Sequence, residues 1–436
     1  MFEGWWIIAV ALGYVSALFA LAWFGDRVMR SKKGGSGRPL IYALSIAIYC
    51  TSWTFFGSVG QAAETGYDFI PVYLGPILLF ALGWPLVLRI VQLAKSQNIT
   101  SVADFLAARY GKSPAVAAIA TLVAFVGVLP YVALQLKAIA VSIETLLGGS
   151  PLVTIELPRV GFMDTAFAIS LTLAAFAILF GTRHIDATEH QDGLMLAVAT
   201  ESLVKLTAFI AVGLFVVFAM FGGPLSFWAE ASASREVQAI FGQELRGGTW
   251  LTVTFLSFVS ALLLPRQFHV TVVENNSATE VRRAAWLFPV YLVLINLFVV
   301  PIAVAGLLRL PRGSADPDFF VLTLPLSVGA EWTSLLAFVG GLSAATAMVI
   351  VESVALSIMI CNGVVVPLML RHRLNEPVSH EDMATPLLLV RRIVIGAVVL
   401  LGYLVYKALG DSQALAAIGL VSFAAIAQLA PAFFGG

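Results

Sequence analysis

The chain is a succession of long apolar runs separated by short polar segments. Runs such as 194–221, 284–308 and 332–360 reach or exceed the roughly 20 residues that a helix needs to cross about 30 Å of hydrocarbon. Charged residues make up only 11% of the sequence, whereas 60% are hydrophobic. A water-soluble domain of this size would carry charged faces on its helices. The pattern therefore predicts an all-α polytopic membrane protein.

Apolar length, read against charged, proline and glycine interruptions, gives eleven candidate membrane helices. Two of them are too long to cross perpendicularly and must tilt, kink or extend beyond the bilayer. The first, although short enough for a signal peptide, has its basic cluster after the apolar run and is expected to be retained. The predicted helices cover residues 4–25, 40–62, 69–94, 114–147, 161–181, 192–222, 250–273, 284–308, 330–369, 389–409 and 412–433.

Basic residues mark every second loop. Lys and Arg in short loops tend to remain in the cytoplasm, so this alternation predicts an outside N-terminus and a cytoplasmic C-terminus. The basic residues assigned to inside loops are Arg27, Arg30, Lys32, Lys33, Arg38, Lys95, Arg109, Lys112, Arg183, Arg266, Arg282, Arg283, Arg371, Arg373, Arg391 and Arg392.

Ten helices remain when the first is set aside, and they divide into two blocks of five. An odd number of crossings gives the blocks opposite orientations, which is the inverted repeat of many secondary transporters. The predicted organisation is a leading helix with a basic cytoplasmic loop at 1–39, a first repeat at 40–222, an external loop at 223–249 and a second repeat at 250–436.

Each block opens with a helix whose sequence favours an interruption. Serine, threonine and glycine are dense in 47–60, and Pro265 removes an amide hydrogen from the corresponding helix of the second block. Broken helices near the midplane free backbone groups for ions and substrates. Close packing of small residues explains either segment alone, but their equivalent positions favour two broken helices.

Four segments resemble the sodium:solute symporter family, which has the leucine-transporter (LeuT) fold with an extra leading helix. These segments are 53–60, 99–111, 278–287 and 340–346, and the resemblance covers nearly the whole chain. It implies alternating-access transport of a small polar solute coupled to Na⁺ or H⁺. No further metal, cofactor or nucleic-acid partner is expected for this chain, whose formal net charge is zero.

More narrowly, five stretches are similar to the transporter-like sensor region of CbrA-type bacterial histidine kinases. In that group a symporter-like module precedes cytoplasmic sensory and kinase domains. This likeness implies a bacterial inner-membrane location and an amino acid as one candidate solute. It also leaves a second hypothesis: a solute-sensing input module of a two-component histidine kinase that acts on a cytoplasmic response regulator. These 436 residues themselves contain no recognisable catalytic domain. The stretches are 45–60, 97–111, 130–137, 200–205 and 266–274.

The symporter resemblance implies a sodium site built mainly from main-chain oxygens. Na⁺ is a hard cation, and an unwound helix supplies carbonyls without adding net charge. The family often has a second hydroxyl where this chain has Ala344. Bonding of the helix hydroxyls to their own backbone is the alternative. The implied ligands are the carbonyls of Ala47, Cys50 and Gly340, the hydroxyl of Ser343, and Thr346 as the substitute hydroxyl.

Four ionisable residues lie deep in predicted spans, where charge is costly and usually functional. Glu201 and Lys205 have the i,i+4 spacing of a structural ion pair, with a proton relay as the alternative. Lys137 is expected either to bind a substrate carboxylate or to extend towards the outer face. Glu352 is a candidate proton or cation site, or the partner of a neighbouring charge.

Most of the candidate solute-binding residues lie at the two predicted breaks, whereas Gln135 and Lys137 lie well inside the predicted helix 114–147. Aromatic rings there suit a cage or gate, with ordinary core packing as the alternative, and amide and ammonium groups suit a polar solute. Cys50 and Cys361 supply neither a disulfide framework nor a metal site. The candidates are Tyr49, Trp53, Phe56, Gln135, Lys137 and Gln267.

Overall fold

The computed structural model describes residues 4–29, 38–148, 164–181, 191–311, 313–372, 380–410 and 413–435. Within these ranges the chain forms helices and turns, and no strand is present. The all-α prediction is therefore confirmed. Five residues of the predicted basic loops lie outside the described ranges: Arg30, Lys32, Lys33, Arg183 and Arg373.

The helices follow the predicted order along the chain. The first half contains α1 (Gly4–Met29), α2a (Pro39–Tyr49), α2b (Trp53–Phe69), α3a (Pro71–Ala81), α3b (Trp84–Ser96), α4 (Val102–Arg109), α5 (Pro114–Leu146), α6 (Thr165–Gly181) and α7 (Asp192–Met220). The second half contains α8 (Pro224–Ala233), α9 (Arg235–Phe241), α10a (Gly247–Leu263), α10b (Pro265–Val273), α11 (Ala278–Arg309), α12 (Phe320–Ser327), α13 (Glu331–Met369), α14 (His380–Leu409), α15 (Leu415–Ala427) and α16 (Ala430–Gly435).

Apolar length is sufficient for a membrane crossing in most of these elements. Among the described residues, seven helices are long and apolar enough to span, and the number reaches ten when each of three bent pairs is one span. The additional predicted crossing, α6, is apolar but short. The count of eleven therefore stays a prediction.

Both predicted helix breaks are present. The axes of α2a and α2b differ by 67°, with the interruption at residues 50–52, and those of α10a and α10b differ by 55°. Helix α10a ends at Leu263, and Pro265 then occupies the first turn of α10b, where a missing amide hydrogen costs nothing. The regular hydrogen bonding is thus interrupted within the first predicted helix of each half.

A third bend was not expected. The predicted helix 69–94 is divided into α3a and α3b, whose axes differ by 70°. Gly83 lies at the bend, and a Cβ there would be 2.7 Å from the Leu79 carbonyl oxygen. Pro85 follows in the first turn of α3b. The segment predicted as an external loop at 223–249 also differs, because it contains the short helices α8 and α9.

The connecting segments group at two ends of the bundle. At one end, named the Asp68 end, Trp250 Nε1 donates to Asp68 Oδ1 at 2.8 Å. At the other, named the Glu280 end, the Arg38 amide donates to Glu280 Oε1 at 2.6 Å. The first contact joins two segments that are predicted to lie outside, and the second joins two that are predicted to lie inside. Which end faces the cytoplasm stays a prediction.

The leading helix packs against α7. Gly193 makes this close approach possible, because a Cβ there would lie 2.0 Å from the Ala22 carbonyl oxygen. The Gly193 amide also donates to Asp26 Oδ1 at 2.7 Å. Helix α7 in turn packs against α2a and α13, so α1 adjoins the helix that carries Glu201 and Lys205.

Candidate functional site

A buried ammonium group occupies the C-terminal end of α2a. Lys205 Nζ, on α7, donates to the Ala47 carbonyl at 2.9 Å and to the Cys50 carbonyl at 2.6 Å. The side chain is 1% exposed. A cation is favourable here because the last carbonyls of a helix lack partners and carry the negative end of its dipole. These are two of the carbonyls that the symporter resemblance assigns to Na⁺.

The hydroxyls assigned to the same ion site lie against Glu201. Ser343 Oγ donates to the Glu201 main-chain oxygen at 2.8 Å, and Thr346 Oγ1 lies 2.7 Å from Glu201 Oε1. Thr346 also lies 2.9 Å from the Leu342 carbonyl of its own helix. We refer to these contacting groups as the Lys205 cluster: Ala47, Cys50, Glu201, Lys205, Ser343 and Thr346.

One expectation for this region differs from the geometry, and another stays a prediction. In the described part of the chain no ion pair joins Glu201 to Lys205, because the ammonium group is directed to the carbonyls of α2a instead. Gly340 lies against other side chains, since a Cβ there would be 2.6 Å from both Ala208 Cβ and Phe55 Cζ. Its proposed role as an ion ligand stays a prediction.

The second cluster lies where α10 is interrupted. Arg266 Nη1 donates to Glu352 Oε2 at 2.6 Å, and both side chains are fully buried. The Arg266 guanidinium carbon lies 4.4 Å from the centroid of the Tyr131 ring. Tyr131 OH is 3.0 Å from Thr51 Oγ1 in the break of α2. The two breaks are therefore joined through Arg266 and Tyr131, and Glu352 binds the arginine.

The assignment of Arg266 to a basic cytoplasmic loop was wrong. Counting basic residues does not distinguish a loop arginine from one that follows a helix break and meets a buried carboxylate. Its partner, Glu352, is 86 positions away in sequence. The local signal was the proline immediately before it, because a charged residue in the first turn after a break lies at the depth of the break.

The predicted solute-binding residues divide between this cluster and the surrounding core. Gln135 Oε1 accepts from the Ser52 amide at 3.2 Å, and its Nε2 donates to the Tyr131 carbonyl. Gln267 Nε2 lies 3.4 Å from the Ile46 carbonyl, and its Oε1 has no hydrogen-bond partner. We refer to the polar groups as the Arg266 cluster: Thr51, Ser52, Tyr131, Gln135, Arg266, Gln267 and Glu352.

The predicted aromatic residues are buried and packed against other rings. Tyr49 OH donates to the Val72 carbonyl at 2.7 Å. The Trp53 ring lies 5.0 Å from that of Phe423 and 6.3 Å from that of Tyr131. The Phe56 ring lies 5.3 Å from the Phe319 ring. Trp53 thus borders the Arg266 cluster, whereas Phe56 faces the Asp68 end.

Lys137 extends towards the Asp68 end, which is one of its two expected placements. Its ammonium group donates to the Gln413 carbonyl at 2.5 Å. Asp318, which sequence reasoning missed, lies nearby on the segment between α11 and α12 and accepts from the Leu415 amide at 2.8 Å. Burial raises the pKa of Asp318 to about 7, partly opposed by the Leu415 amide and by Lys137. Only the Asp-Pro-Asp sequence at 316–318 signalled a structured turn there.

Part of the chain is similar in sequence to a transporter family. The family model described as Sodium:solute symporter family matches residues 34–157. The protein described as Uncharacterized symporter YhjB, from Bacillus subtilis (strain 168), is 23% identical over 313 residues, which are 71% of this chain and 59% of that protein. The chain thus spans less than two thirds of that relative's length.

Structure comparison agrees with the predicted fold. A Na⁺-coupled sialic acid symporter, in a substrate-bound outward-open state described as revealing a novel Na⁺ site, has a TM-score of 0.68 and 16% identity over 98% of this chain and 86% of that one. A manganese transporter of Eremococcus coleocola, in complex with an aromatic bis-isothiourea substituted compound, has a TM-score of 0.50 and 15% identity over 90% and 76% of the two chains.

The chain has the LeuT-like, all-helical fold of an integral membrane protein, and its residues 34–157 are similar to the sodium:solute symporter family. Identities of this size show the fold alone, so solute and coupling ion are not transferred from these relatives. None of them is described as a kinase, and the hypothesis of a sensory input module stays a prediction.

Proposed function

We propose that this chain binds a small polar solute and carries it across a bacterial inner membrane by alternating access, coupled to H⁺. The breaks in α2 and α10 are the hinges, and the Asp68 end is the outer side. The resemblance to sodium:solute symporters supports transport. The observation that carries the choice of ion is the position of Lys205 Nζ, within 2.9 Å of two carbonyls otherwise suited to Na⁺.

An ammonium group and Na⁺ compete for the same oxygens. Two unit charges 4 Å apart repel by about 4 kcal/mol at an effective dielectric constant near 20, so Na⁺ would enter only after Lys205 leaves or loses its proton. A proton on Lys205 holds α2a against α7, and its loss frees the two carbonyls. Protonation of one side chain is thereby linked to opening at the break. Glu201, one turn earlier on α7, is the carboxylate placed to exchange that proton.

Transport by purified protein tests this proposal. The full chain would be reconstituted into proteoliposomes and offered a panel of radiolabelled polar solutes under an imposed H⁺ gradient without Na⁺, or a Na⁺ gradient without a pH gradient. We expect accumulation with the H⁺ gradient alone. No gradient-driven uptake of any solute would exclude transport, and uptake that strictly requires Na⁺ would exclude the assigned ion.

A matched pair of lysine variants locates the coupling group. Lys205→Met should abolish H⁺-driven accumulation while leaving solute exchange between the two sides of the vesicle, because exchange needs no net proton movement. Lys407→Met is the control, since that lysine is half exposed and pairs with Asp164 at 2.9 Å. Equal losses in the two variants would contradict the role of Lys205.

A further inference from the structure

We propose that the transported solute carries a carboxylate and that Arg266 binds it through Nε and Nη2, an inference that rests on the proposed function. Among the described residues, contacts are made by only one side of the Arg266 guanidinium. Nη1 donates to Glu352, whereas Nε and Nη2 have no hydrogen-bond partner. Both unpartnered nitrogens lie on one edge of a planar group, and such an edge donates two parallel hydrogen bonds to the oxygens of a carboxylate.

Burial makes this open edge informative. Arg266 is 0% exposed, and a buried charged donor without an acceptor is strongly unfavourable. An arginine does not escape this cost by losing its proton. A protein retains such a group where something else supplies the missing acceptors for part of its working cycle.

The other two deep cations are already engaged. Lys205 donates to two carbonyls of α2a, and Lys137 donates to the Gln413 carbonyl near Asp318. Of these three deep cations, Arg266 is the one with nitrogens that have no hydrogen-bond partner among the described residues. Arg266 is therefore a better candidate than Lys137 for binding a substrate carboxylate.

The surroundings hold the guanidinium in a fixed plane. Tyr131 lies under it, with 4.4 Å between the guanidinium carbon and the ring centroid, and Glu352 fixes the opposite edge. Because Tyr131 also contacts Thr51, the donor edge is positioned relative to both helix breaks. Movement at either break changes access to Arg266, so carboxylate binding and alternating access involve the same residues.

Glu352 adds a second open position. Its Oε1 has no hydrogen-bond partner, although Oε2 accepts from Arg266. The ion pair is neutral as a whole and offers donors on one side and an acceptor on the other. A zwitterion and a simple carboxylate would both use the Arg266 edge, and only the zwitterion would also place a cation at Glu352.

Binding to the detergent-purified full chain tests the inference without any ion gradient. The probes are L-amino acids, the simple carboxylates pyruvate and lactate, and uncharged sugars. Each acid is paired with the carboxamide in which a neutral amide replaces its carboxylate. Thermal unfolding is followed with each probe. We expect at least one carboxylate to raise the unfolding temperature while its carboxamide does not. Stabilisation by amino acids but not by pyruvate or lactate would assign Glu352 to the solute cation.

Paired substitutions separate binding from folding. The double variant Arg266→Gln with Glu352→Gln removes both charges together and leaves no orphaned ion. We expect it to fold and to lose affinity for the carboxylate by on the order of 100-fold. The matched control is Arg309→Gln with Glu230→Gln, a half-exposed pair at the Asp68 end, which should retain full affinity. Arg266→Lys should recover only part of the loss, because an ammonium group has no planar edge.

The outcomes distinguish this inference from transport itself. Stabilisation by sugars or carboxamides alone, or carboxylate binding that survives in the double variant, would overturn the role of Arg266 even if H⁺-driven uptake is observed. Carboxylate binding that depends on Arg266 in a protein without gradient-driven uptake would support this inference while overturning the proposed transport cycle.

Discussion

Two cations are buried beside the two helix breaks, and their surroundings differ. Lys205 has two main-chain acceptors from α2a, at 2.9 and 2.6 Å. Arg266 has one acceptor, the Glu352 carboxylate, and two nitrogens without any. The hydrogen bonds of the first cation are supplied by the backbone of the protein itself. The second cation has donors that no described residue accepts, and this is the observation behind the proposed carboxylate site.

The largest expected effect comes from removing the single partner of Arg266. Glu352→Gln leaves a buried arginine without a counter-ion, and breaking a buried pair in this way costs about 3–5 kcal/mol of the free energy of unfolding. Unfolding in increasing concentrations of a denaturing detergent would measure it. The double variant with Arg266→Gln should cost less than the single one. Glu230→Gln breaks a half-exposed pair and should cost no more than about 1 kcal/mol. Equal costs for Glu352→Gln and Glu230→Gln would contradict the special dependence of Arg266 on Glu352.

Removing the Lys205 ammonium group should lower the free energy of unfolding by somewhat less. Lys205→Met deletes two charge-assisted hydrogen bonds, each contributing about 1.5–3 kcal/mol, and we expect a loss of about 3 kcal/mol. It also leaves the Ala47 and Cys50 carbonyls open to a cation. Na⁺, compared with choline, should therefore raise the unfolding temperature of this variant but not of the parent or of Lys407→Met. A variant indifferent to Na⁺ would show that the carbonyls alone do not form an ion site.

The third deep cation, Lys137, lies close to a contact between α2b and Asp318 that glycine makes possible. A Cβ on Gly60 would lie 2.0 Å from Asp318 Oδ1 and 2.9 Å from its Cα. Gly60→Ala should therefore cost about 1–3 kcal/mol, as overpacking does. Gly396→Ala on α14 meets nothing within 4 Å and should be neutral or slightly stabilising. Unfolding free energies of equal size for the two alanine variants would show that the contact with Asp318 is loose.

The last expected effect is a change in pH dependence. Burial raises the pKa of Asp318 to about 7, with Asp316 and Glu64 adding to the rise and Lys137 opposing it. In the unfolded chain this carboxyl ionises near pH 4. The folded protein is therefore fully favoured below about pH 4 and loses stability as the pH rises towards about 7. Asp318→Asn should flatten the fall in unfolding temperature between about pH 4 and pH 7. An unchanged slope would show that other groups cause the fall.

Much of the fold was predictable because its causes are local in sequence. Apolar length alone located α5 and α13, and the missing amide hydrogen of Pro265 located the break in α10. The bend at Gly83 was missed, although the glycine and Pro85 mark it, because the apolar run continues across them. Hydropathy reports burial, and it carries no information on the direction of a helix axis.

The sequence identified several residues of the candidate site, but not the contacts between them. Sequence singled out Lys205, Ala47 and Cys50, but as separate expectations: an ion pair with Glu201 and a set of sodium ligands. Lys205 contacts the two carbonyls across sequence separations of 158 and 155 residues. The i,i+4 spacing on one helix gives no information on such contacts. Glu352 was singled out without Arg266 for the same reason.

The carbonyl that Lys205 binds at the end of α2a belongs to a cysteine. Cys50 is 0% exposed, and Cys361, the other cysteine of the sequence, is buried as well. A membrane-permeant thiol reagent therefore reaches Cys50 only while the interruption in α2 is accessible. Its rate of alkylation measures how often the protein opens, and comparison with Cys361 separates that opening from general loosening. The two native cysteines thus report on conformational exchange, and no additional cysteine needs to be engineered.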